Sequence, residues 1–341
     1  MRNRWLFTLA MSFVFVLLAA CGGNEPSEGE EPEAGDQEQV EETGDEGAEA
    51  SGPYSVEDVF GTVEFEDVPE RIVVLEWTYA EDLLALGVQP VGMADIEGFE
   101  AWVDIEAELS DEVVDVGTRQ EPNLEEIAAL EPDLIITAKF RHEAIKDELD
   151  LIAPTLFFEP YPEDESINQY DEMVTTFETI AKVVQREDEA ATVLAEMEQK
   201  FEEAKEAIAE ADLESNEFIL AMAYSGPQAP AIRIFAPNGM ATIILENLGL
   251  ENVHEPDAFE MYGYSEVNVE ALPEYEDANF IYVVQEDDNV FEDQLADNPV
   301  WTNLNFVQEE RTYSLGGDAW LYGGPLSAKT LVDRLVDSLT Q

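Results

Sequence analysis

The sequence predicts an α/β fold: two similar α/β lobes with parallel central sheets, bridged by one long rigid helix. Short apolar runs alternate with segments of helical spacing at short connections, which is typical of parallel βαβ units. The same alternation recurs in the second half of the chain. A long amphipathic pattern lies between the two halves, and this pattern predicts the bridging helix.

The first lobe is predicted over residues 53–165. A glycine that follows a run of helical spacing is a good C-terminal cap, so the first helix is expected to end at Gly87. Asn123 is predicted to be the N-cap of a later helix. The predicted strands are residues 72–75, 88–93, 134–137 and 154–158, and the predicted helices are residues 80–86, 122–130 and 143–152.

The bridging helix is predicted over residues 166–186 and the second lobe over residues 187–341. The bridge carries apolar residues at helical spacing from Ile167 to Val184, which corresponds to a rod of about 27 Å. A second amphipathic helix is predicted at 189–210. The second lobe then repeats the order of the first, with strands at residues 218–223, 231–235 and 280–284, a helix at 240–248 ending at Gly249, and a Glu-bearing helix at 269–272.

The N-terminal segment is predicted to be a lipoprotein leader and tether. Residues 1–20 combine two early arginines with an apolar run that is short for a membrane span. Leu-Ala-Ala-Cys at 18–21 looks like a bacterial lipobox, which predicts acylation of Cys21 and a stable membrane anchor. Plain secretion with a chance cysteine is the alternative. Residues 21–52 are predicted to be a disordered acidic tether, because residues 22–52 hold twelve acidic residues and no basic one.

The composition excludes several classes of protein. The chain has 79 Asp and Glu against 15 Lys and Arg, a net charge of −64, so phosphate backbones would repel it and nucleic-acid binding is excluded. One Cys and two His exclude a disulfide framework and a thiolate zinc site. Such an acidic surface leads to the hypothesis of a saline or alkaline habitat, where salt screens carboxylate repulsion.

The scarce arginines are the most informative candidate binding residues. No nucleophile elbow, phosphate loop or dinucleotide fingerprint is present in the sequence, so the sequence offers no candidate catalytic residue for an enzyme. Arg141 directly follows a predicted strand and Arg119 precedes a helix, at the edge where open α/β sheets bind ligands. Two guanidinium groups suit a ligand with carboxylates, although they could instead neutralise neighbouring acids. An aromatic cleft between the lobes is predicted from Trp77, Tyr79, Trp102, Tyr224, Trp320 and Tyr322.

Several motifs together resemble a known family. The chain is similar to the lipoprotein solute-binding proteins of ABC importers, in the branch for ferric siderophores, ferric citrate and vitamin B12. The resemblance runs from about Gly61 to Leu339. It is carried by RIVVLEW at 71–77, GTR at 117–119, PNLE at 122–125, LEPDLII at 130–136, RHE at 141–143 and WLYGGPLSA at 320–328.

The resemblance implies a binding protein without turnover. It implies capture of an iron(III) chelate in the interlobe cleft, small closure on the ligand, and delivery to a membrane permease. Arg119 and Arg141 match the arginines of citrate-binding members, and Arg233 is a weaker candidate from the second lobe. Glu125 and Glu270 match the positions through which members dock on the permease. No cofactor and no protein ligand to the metal are expected, because the siderophore itself carries the iron.

The expected protein is a monomer, lipid-anchored on the outer face of the cytoplasmic membrane. We favour a citrate-based siderophore, including mixed citrate–hydroxamate ligands and ferric citrate itself. A neutral hydroxamate siderophore or cobalamin remains open as the ligand. From other classes, a non-transport surface lipoprotein or an enzyme on the same scaffold also remains open.

Overall fold

A computed structural model describes residues 52–211 and 213–340 of the chain. The predicted leader, Cys21 and nearly all of the predicted tether lie outside the described residues. The first lobe begins with a short hairpin of β1 (Tyr54–Asp58) and β2 (Gly61–Phe65), which buries Val56 and Phe65 in the core of this lobe. Within the described residues, no helix combines the length and apolar character needed to cross a membrane.

The first lobe is built on a five-stranded sheet whose strand pairs are all parallel, as predicted. The order is β5-β4-β3-β6-β7, so the chain moves outward on one side of β3 and then on the other. This lobe comprises β3 (Ile72–Val74), α1 (Trp77–Ala85), β4 (Gly92–Met93), α2 (Ile96–Trp102), β5 (Val114–Asp115), α3 (Leu124–Ala129), β6 (Leu134–Ala138), α4 (Lys139–His142), a 3-10 turn (Glu143–Ile145), α5 (Lys146–Asp150) and β7 (Thr155–Phe158).

The second lobe has a mixed sheet, and this corrects the prediction of a parallel one. The strand β8 pairs in parallel with β10 and β12, but β9 runs antiparallel to both of its neighbours, β8 and β11. The connection from β8 to β9 is a short loop without a helix, so β9 turns back along its neighbour. The elements are β8 (Glu217–Tyr224), β9 (Ala231–Phe235), α8 (Met240–Asn247), β10 (Glu251–Asn252), β11 (Tyr264–Val267), a 3-10 helix (Val269–Tyr275), β12 (Asn279–Val283), a 3-10 turn (Glu286–Asp288), α9 (Pro299–Thr302), α10 (Asn305–Gln308), β13 (Thr312–Ser314) and α11 (Pro325–Leu339).

Two helices connect the cores of the lobes. The helix α6 (Gln169–Val183) buries Met173 in the core of the second lobe and Phe177 in that of the first. The helix α7 (Glu187–Glu210) returns, with Ala190 in the first core and its C-terminal half in the second. With 24 residues α7 is longer than α6, so the predicted bridge is not the longest helix. The sequence predicted α7 as a second amphipathic helix at 189–210, close to its observed bounds.

Candidate ligand-binding cleft

A cleft lies between the two lobes, above α6, and its unfilled space, including the open solvent at its mouth, is about 640 Å³. In the first lobe it borders the carboxyl ends of β3 and β6, where the strand order reverses direction. Open α/β sheets bind ligands at such a point, because loops diverge there and leave a crevice. The lining residues are Glu76, Trp77, Thr78, Tyr79, Arg119, Phe140, Arg141, Pro160, Tyr161, Gln169, Glu172, Met173, Thr176, Met240, Trp320, Tyr322 and Gly323.

Both predicted arginines reach this cleft, and both are paired with acids. Arg141 Nε donates to one carboxylate oxygen of Glu76, and Arg119 Nη1 lies 3.6 Å from the other. Arg119 Nε also lies 3.4 Å from Asp95 Oδ2. Each of these residues lies after the carboxyl end of a different parallel strand: Glu76 after β3, Asp95 after β4, Arg119 after β5 and Arg141 after β6. We call Glu76, Asp95, Arg119 and Arg141 the charge quartet.

The charge quartet is shielded from water but not fully buried. Glu76 is 8% exposed, while the side chains of Arg119 and Arg141 are 16% and 19% exposed. Burial raises the pKa of Glu76, and the guanidinium groups of Arg141 and Arg119 offset only part of this rise. Burial also lowers the pKa of Arg119, while Glu76 raises it. A guanidinium has five N–H donors, so each arginine retains donors for a ligand after binding its acid.

Indole rings of both lobes meet beside the charge quartet. The guanidinium of Arg119 stacks on Trp77, with its central carbon 3.3 Å from the ring centroid. The ring of Trp77 packs edge-on against Trp320 of the second lobe at 5.0 Å. Trp102 packs behind Trp320 at 6.3 Å and is absent from the cavity lining. The indole pair therefore brings the lobes into contact at one end of the cleft.

Trp77 and Tyr79 lie in the first turn of α1, which begins three residues before the helix predicted at 80–86. The N-cap is Glu76, whose side chain makes no capping bond, so the usual signal of a helix start is missing. Tyr79 is buried, and its ring packs on Phe158 at 5.3 Å. It contributes to the floor of the cleft and not to an exposed rim.

Four tyrosines pack together next to the indole pair, where Tyr322 contacts Trp320 at 5.3 Å, and two of them, Tyr161 and Tyr322, line the cleft. Tyr161 follows β7 and packs edge-on against Tyr262 at 5.2 Å and against Tyr322 at 6.4 Å. Tyr264 packs against both Tyr262 and Tyr322 at 6.4 Å. Of these four residues, the sequence analysis found only Tyr322, because the other three lie on loops or an edge strand without a predictive pattern. We call them the tyrosine wall.

Arg233 and Tyr224 lie together behind the tyrosine wall. Arg233 Nη2 is 3.4 Å from the Tyr224 hydroxyl, and its guanidinium lies over the rings of Tyr264 at 4.5 Å and Tyr224 at 5.2 Å. Among the described residues, no carboxylate forms an ion pair with Arg233. The second lobe thus contributes a positive charge that lies against phenol rings, with Glu266 opposite it in the pair of β9 with β11.

Further residues of the cleft floor were not predicted. Glu172 of α6 accepts a hydrogen bond from Thr176 at 2.6 Å, and burial raises its pKa to about 7. Gln169 donates to the carbonyl of Met261 at 3.2 Å. In the described part of the chain, no group of three His, Cys, Asp or Glu is arranged to hold a metal ion. The cleft therefore presents guanidinium, carboxyl, phenol and indole groups.

The two predicted docking acids occupy matching positions in the lobes. Glu125 is exposed in the first turn of α3, where Asn123 accepts a hydrogen bond from its N–H at 3.1 Å. Glu270 is exposed in the first turn of the 3-10 helix of the second lobe, where Asn268 accepts the equivalent bond at 3.1 Å. The similar tripeptides Asn-Leu-Glu and Asn-Val-Glu form the same N-cap in each lobe.

Residues 72–319 match the sequence profile of the periplasmic binding protein family, and they make up most of the chain. The chain belongs to the periplasmic binding protein family. The resemblance predicted from the motifs is confirmed at this level, as is the α/β fold.

Relatives within the periplasmic binding protein family cover most of the chain. The Fe(3+)-citrate-binding protein YfmC of Bacillus subtilis is 29% identical over 273 residues, which are 80% of this chain and 81% of the relative. The probable siderophore-binding lipoprotein YfiY of the same organism is 27% identical over 335 residues, 94% of each chain. The solved structure of Fe3+–Desferal-bound siderophore binding protein FhuD from Vibrio cholerae superposes with a TM-score of 0.70 at 28% identity, covering 80% of this chain and 98% of that one.

Proposed function

We propose that this protein is the extracellular substrate-binding component of an ABC importer, which captures a ferric siderophore in the interlobe cleft and delivers it to a membrane permease. The observation that carries the proposal is the cleft itself, with two arginines on one lobe facing aromatic rings from the other. Membership of the periplasmic binding protein family and relatives named for ferric citrate and siderophore binding support it.

The ligand, in this proposal, is a citrate-based siderophore, with mixed citrate–hydroxamate ligands included. Carboxylate oxygens of such a chelate would accept hydrogen bonds from the free N–H groups of Arg119 and Arg141. Its less polar edges would pack on Trp77, Trp320 and the tyrosine wall. The chelate would supply all ligands to iron(III), so the protein needs neither a cofactor nor a metal ligand of its own. No step of bond breaking is involved, and the protein is not an enzyme.

Acylation of Cys21 would anchor the protein on the outer face of the cytoplasmic membrane, with residues 21–52 as a tether. The lipobox-like motif and a relative named as a lipoprotein over 94% of both chains support this anchor. Glu125 and Glu270 would then dock on the permease, one from each lobe. Their exposure and matching caps support this role.

A neutral hydroxamate chelate is the second candidate ligand, favoured by the solved relative that holds Fe3+–Desferal. Such a ligand would depend mainly on the aromatic surfaces of the cleft. Binding of a citrate-based chelate therefore depends on Arg119 and Arg141, whereas binding of a neutral hydroxamate chelate depends on them much less.

The test is a titration of intrinsic tryptophan fluorescence, since Trp77 and Trp320 line the cleft. A soluble fragment starting at Pro53 would be titrated with ferric schizokinen, ferric citrate and a neutral trihydroxamate. We expect ferric schizokinen to quench, and Arg119→Ala and Arg141→Ala each to weaken its binding by more than about tenfold. Arg186→Ala is the matched control, because Arg186 is exposed and pairs only within α7.

Quenching that survives both cleft variants would move the ligand to the aromatic surfaces and favour the neutral hydroxamate. Absence of binding to every ferric chelate would reject siderophore capture. Melting temperatures of the variants are needed alongside, because removal of either arginine leaves Glu76 with one partner fewer in a shielded site.

A further inference from the structure

Glu76 places a negative charge between the two arginines that would hold an anionic ligand. Its two carboxylate oxygens face different guanidinium groups, one from Arg141 and one from Arg119. Asp95 adds a second acid on the far side of Arg119. The charge quartet therefore carries two positive and two negative charges, and its charges cancel.

Arg233 adds a positive charge behind the tyrosine wall. Its aromatic neighbours Tyr224, Tyr264 and Tyr322 carry phenol groups, which are neutral near pH 7, and Glu266 lies opposite Arg233 in the pair of β9 with β11. Glu172 on the floor, whose pKa is raised to about 7, is largely protonated at pH 6. At that pH the charge quartet and Glu172 together carry no net charge, although two arginines line the cleft.

We propose that Glu76 is a specificity-determining residue that limits the negative charge of the ligand, so that the cleft selects ferric chelates carrying one negative charge or none. This inference rests on the proposed function. An iron(III) complex of two hydroxamates and one doubly deprotonated α-hydroxycarboxylate carries a single negative charge and matches the cleft. Ferric dicitrate carries several negative charges and meets Glu76 and Asp95 as uncompensated like charges.

Because Glu76 is shielded from water, its charge repels an anionic ligand more strongly than a surface carboxylate would. Charges that are shielded from water interact more strongly and are screened less by salt than surface charges. Most of the 79 acidic residues of the chain contribute a general negative field that salt removes. Glu76 is different, because it is 8% exposed and contacts the groups that would bind the ligand.

The substitution Glu76→Gln tests the inference, because it keeps the shape and an oxygen acceptor but removes the charge. Fluorescence titrations at pH 6 would compare ferric schizokinen, ferric dicitrate and the neutral trihydroxamate ferrichrome. For the variant we expect the affinity for ferric dicitrate to rise by about tenfold relative to that for ferrichrome. Glu76→Asp, which restores the charge, is expected to return this ratio toward the wild-type value.

Two further variants keep the test decisive. Asp95→Asn removes the second counter-ion of Arg119 and is expected to shift the ratio in the same direction by a smaller factor, because Asp95 is more exposed than Glu76. Asp95→Asn still tests the inference through this affinity ratio if Glu76→Gln does not fold. Glu106→Gln is the control for loss of one negative charge, since Glu106 pairs with Lys329 away from the cleft lining, and it is expected to leave the ratio unchanged.

The outcomes separate the inference from the proposed function. If the wild-type protein binds ferric chelates and the ratio is unchanged in both quartet variants, Glu76 does not set the ligand charge. An equal change for all ligands would likewise overturn the inference and assign Glu76 a purely structural role. If the wild-type protein binds no ferric chelate at all, the proposed function fails, and the inference fails with it.

Discussion

Glu81 of the first lobe accepts two hydrogen bonds from Ser327 of the second lobe, one from the backbone N–H at 2.7 Å and one from the hydroxyl at 2.6 Å. Both residues are buried. Ser327 lies in the first turn of α11, where backbone N–H groups have no partner within the helix. A carboxylate from one lobe therefore caps a helix of the other, which links the lobes independently of any ligand.

The substitution Ser327→Ala is expected to lower the free energy of unfolding by about 1.5–3 kcal/mol, because Glu81 loses a charge-assisted hydrogen bond in a buried site. Urea denaturation would measure the change. Thr330→Ala is the matched control, since the Thr330 hydroxyl donates at 2.8 Å to the carbonyl of Asp104 across the same two lobes, but at an exposed position. Its loss is expected to stay below about 1 kcal/mol. Equal losses would contradict a special role for the buried bond.

Asp82, next to Glu81 in α1, is expected to make stability fall as pH rises. Its carboxyl group is buried, and neither oxygen has a hydrogen-bond partner among the described residues. Burial raises its pKa well above the usual range, and the neighbouring Glu81 raises it further. The folded state therefore binds a proton that the unfolded state releases above the ordinary pKa of 3.8. The stabilisation of the folded state by this proton is therefore complete below pH 3.8. It is lost as the pH rises through the pKa of Asp82 in the folded state.

The substitution Asp82→Asn removes this dependence. We expect the variant to melt at a higher temperature than the wild-type protein at pH 8, with a smaller difference at pH 5. Asp337→Asn, at an exposed position of α11, controls for the general benefit of removing one negative charge from an acidic protein. A stabilisation by Asp82→Asn that is the same at both pH values would contradict the assignment.

The arginines of the cleft were predictable because the rule that finds them is topological. Residues that directly follow parallel strands gather at one edge of the sheet, and this places Arg141 after β6 without any knowledge of packing. The same rule identifies Glu76 after β3, but an acid among 79 acidic residues carries no distinguishing signal in the sequence. Only the distances to Arg119 and Arg141 distinguish it.

Other parts of the site depend on long-range geometry that local patterns do not encode. Tyr161 and Tyr262 are about a hundred positions apart in the sequence, yet their rings meet at 5.2 Å. Arg233 lies on β9, whose antiparallel direction differs from the predicted parallel sheet. The lobes, their order and the bridging α6 follow from periodicity, whereas the pairing of side chains across the cleft follows from how the lobes pack.

Glu172 is expected to make the binding of an anionic chelate weaker above pH 7. Burial raises its pKa to about 7, so a negative charge develops on the cleft floor as the pH rises from 6 to 8. Histidines do not explain such a change, because burial lowers the pKa of His142 to about 4 and also lowers that of His254. In Glu172→Gln the affinity for ferric schizokinen is expected to be nearly constant between pH 6 and pH 8. A wild-type affinity that does not change over this range would contradict the prediction.

Salt is expected to raise the melting temperature of the protein. The net charge of −64 opposes a compact state, and raising NaCl from about 0.1 M to 1 M shortens the screening length from about 10 Å to 3 Å. Salt also weakens surface ion pairs such as Lys200 with Asp333, but each exposed pair contributes at most about 1 kcal/mol. We therefore expect the loss of net repulsion to outweigh the loss of these ion pairs, so the melting temperature rises with NaCl. Sucrose is the control, because it stabilises by exclusion without screening charge. A melting temperature that NaCl leaves unchanged would remove the support for a fold adapted to saline surroundings.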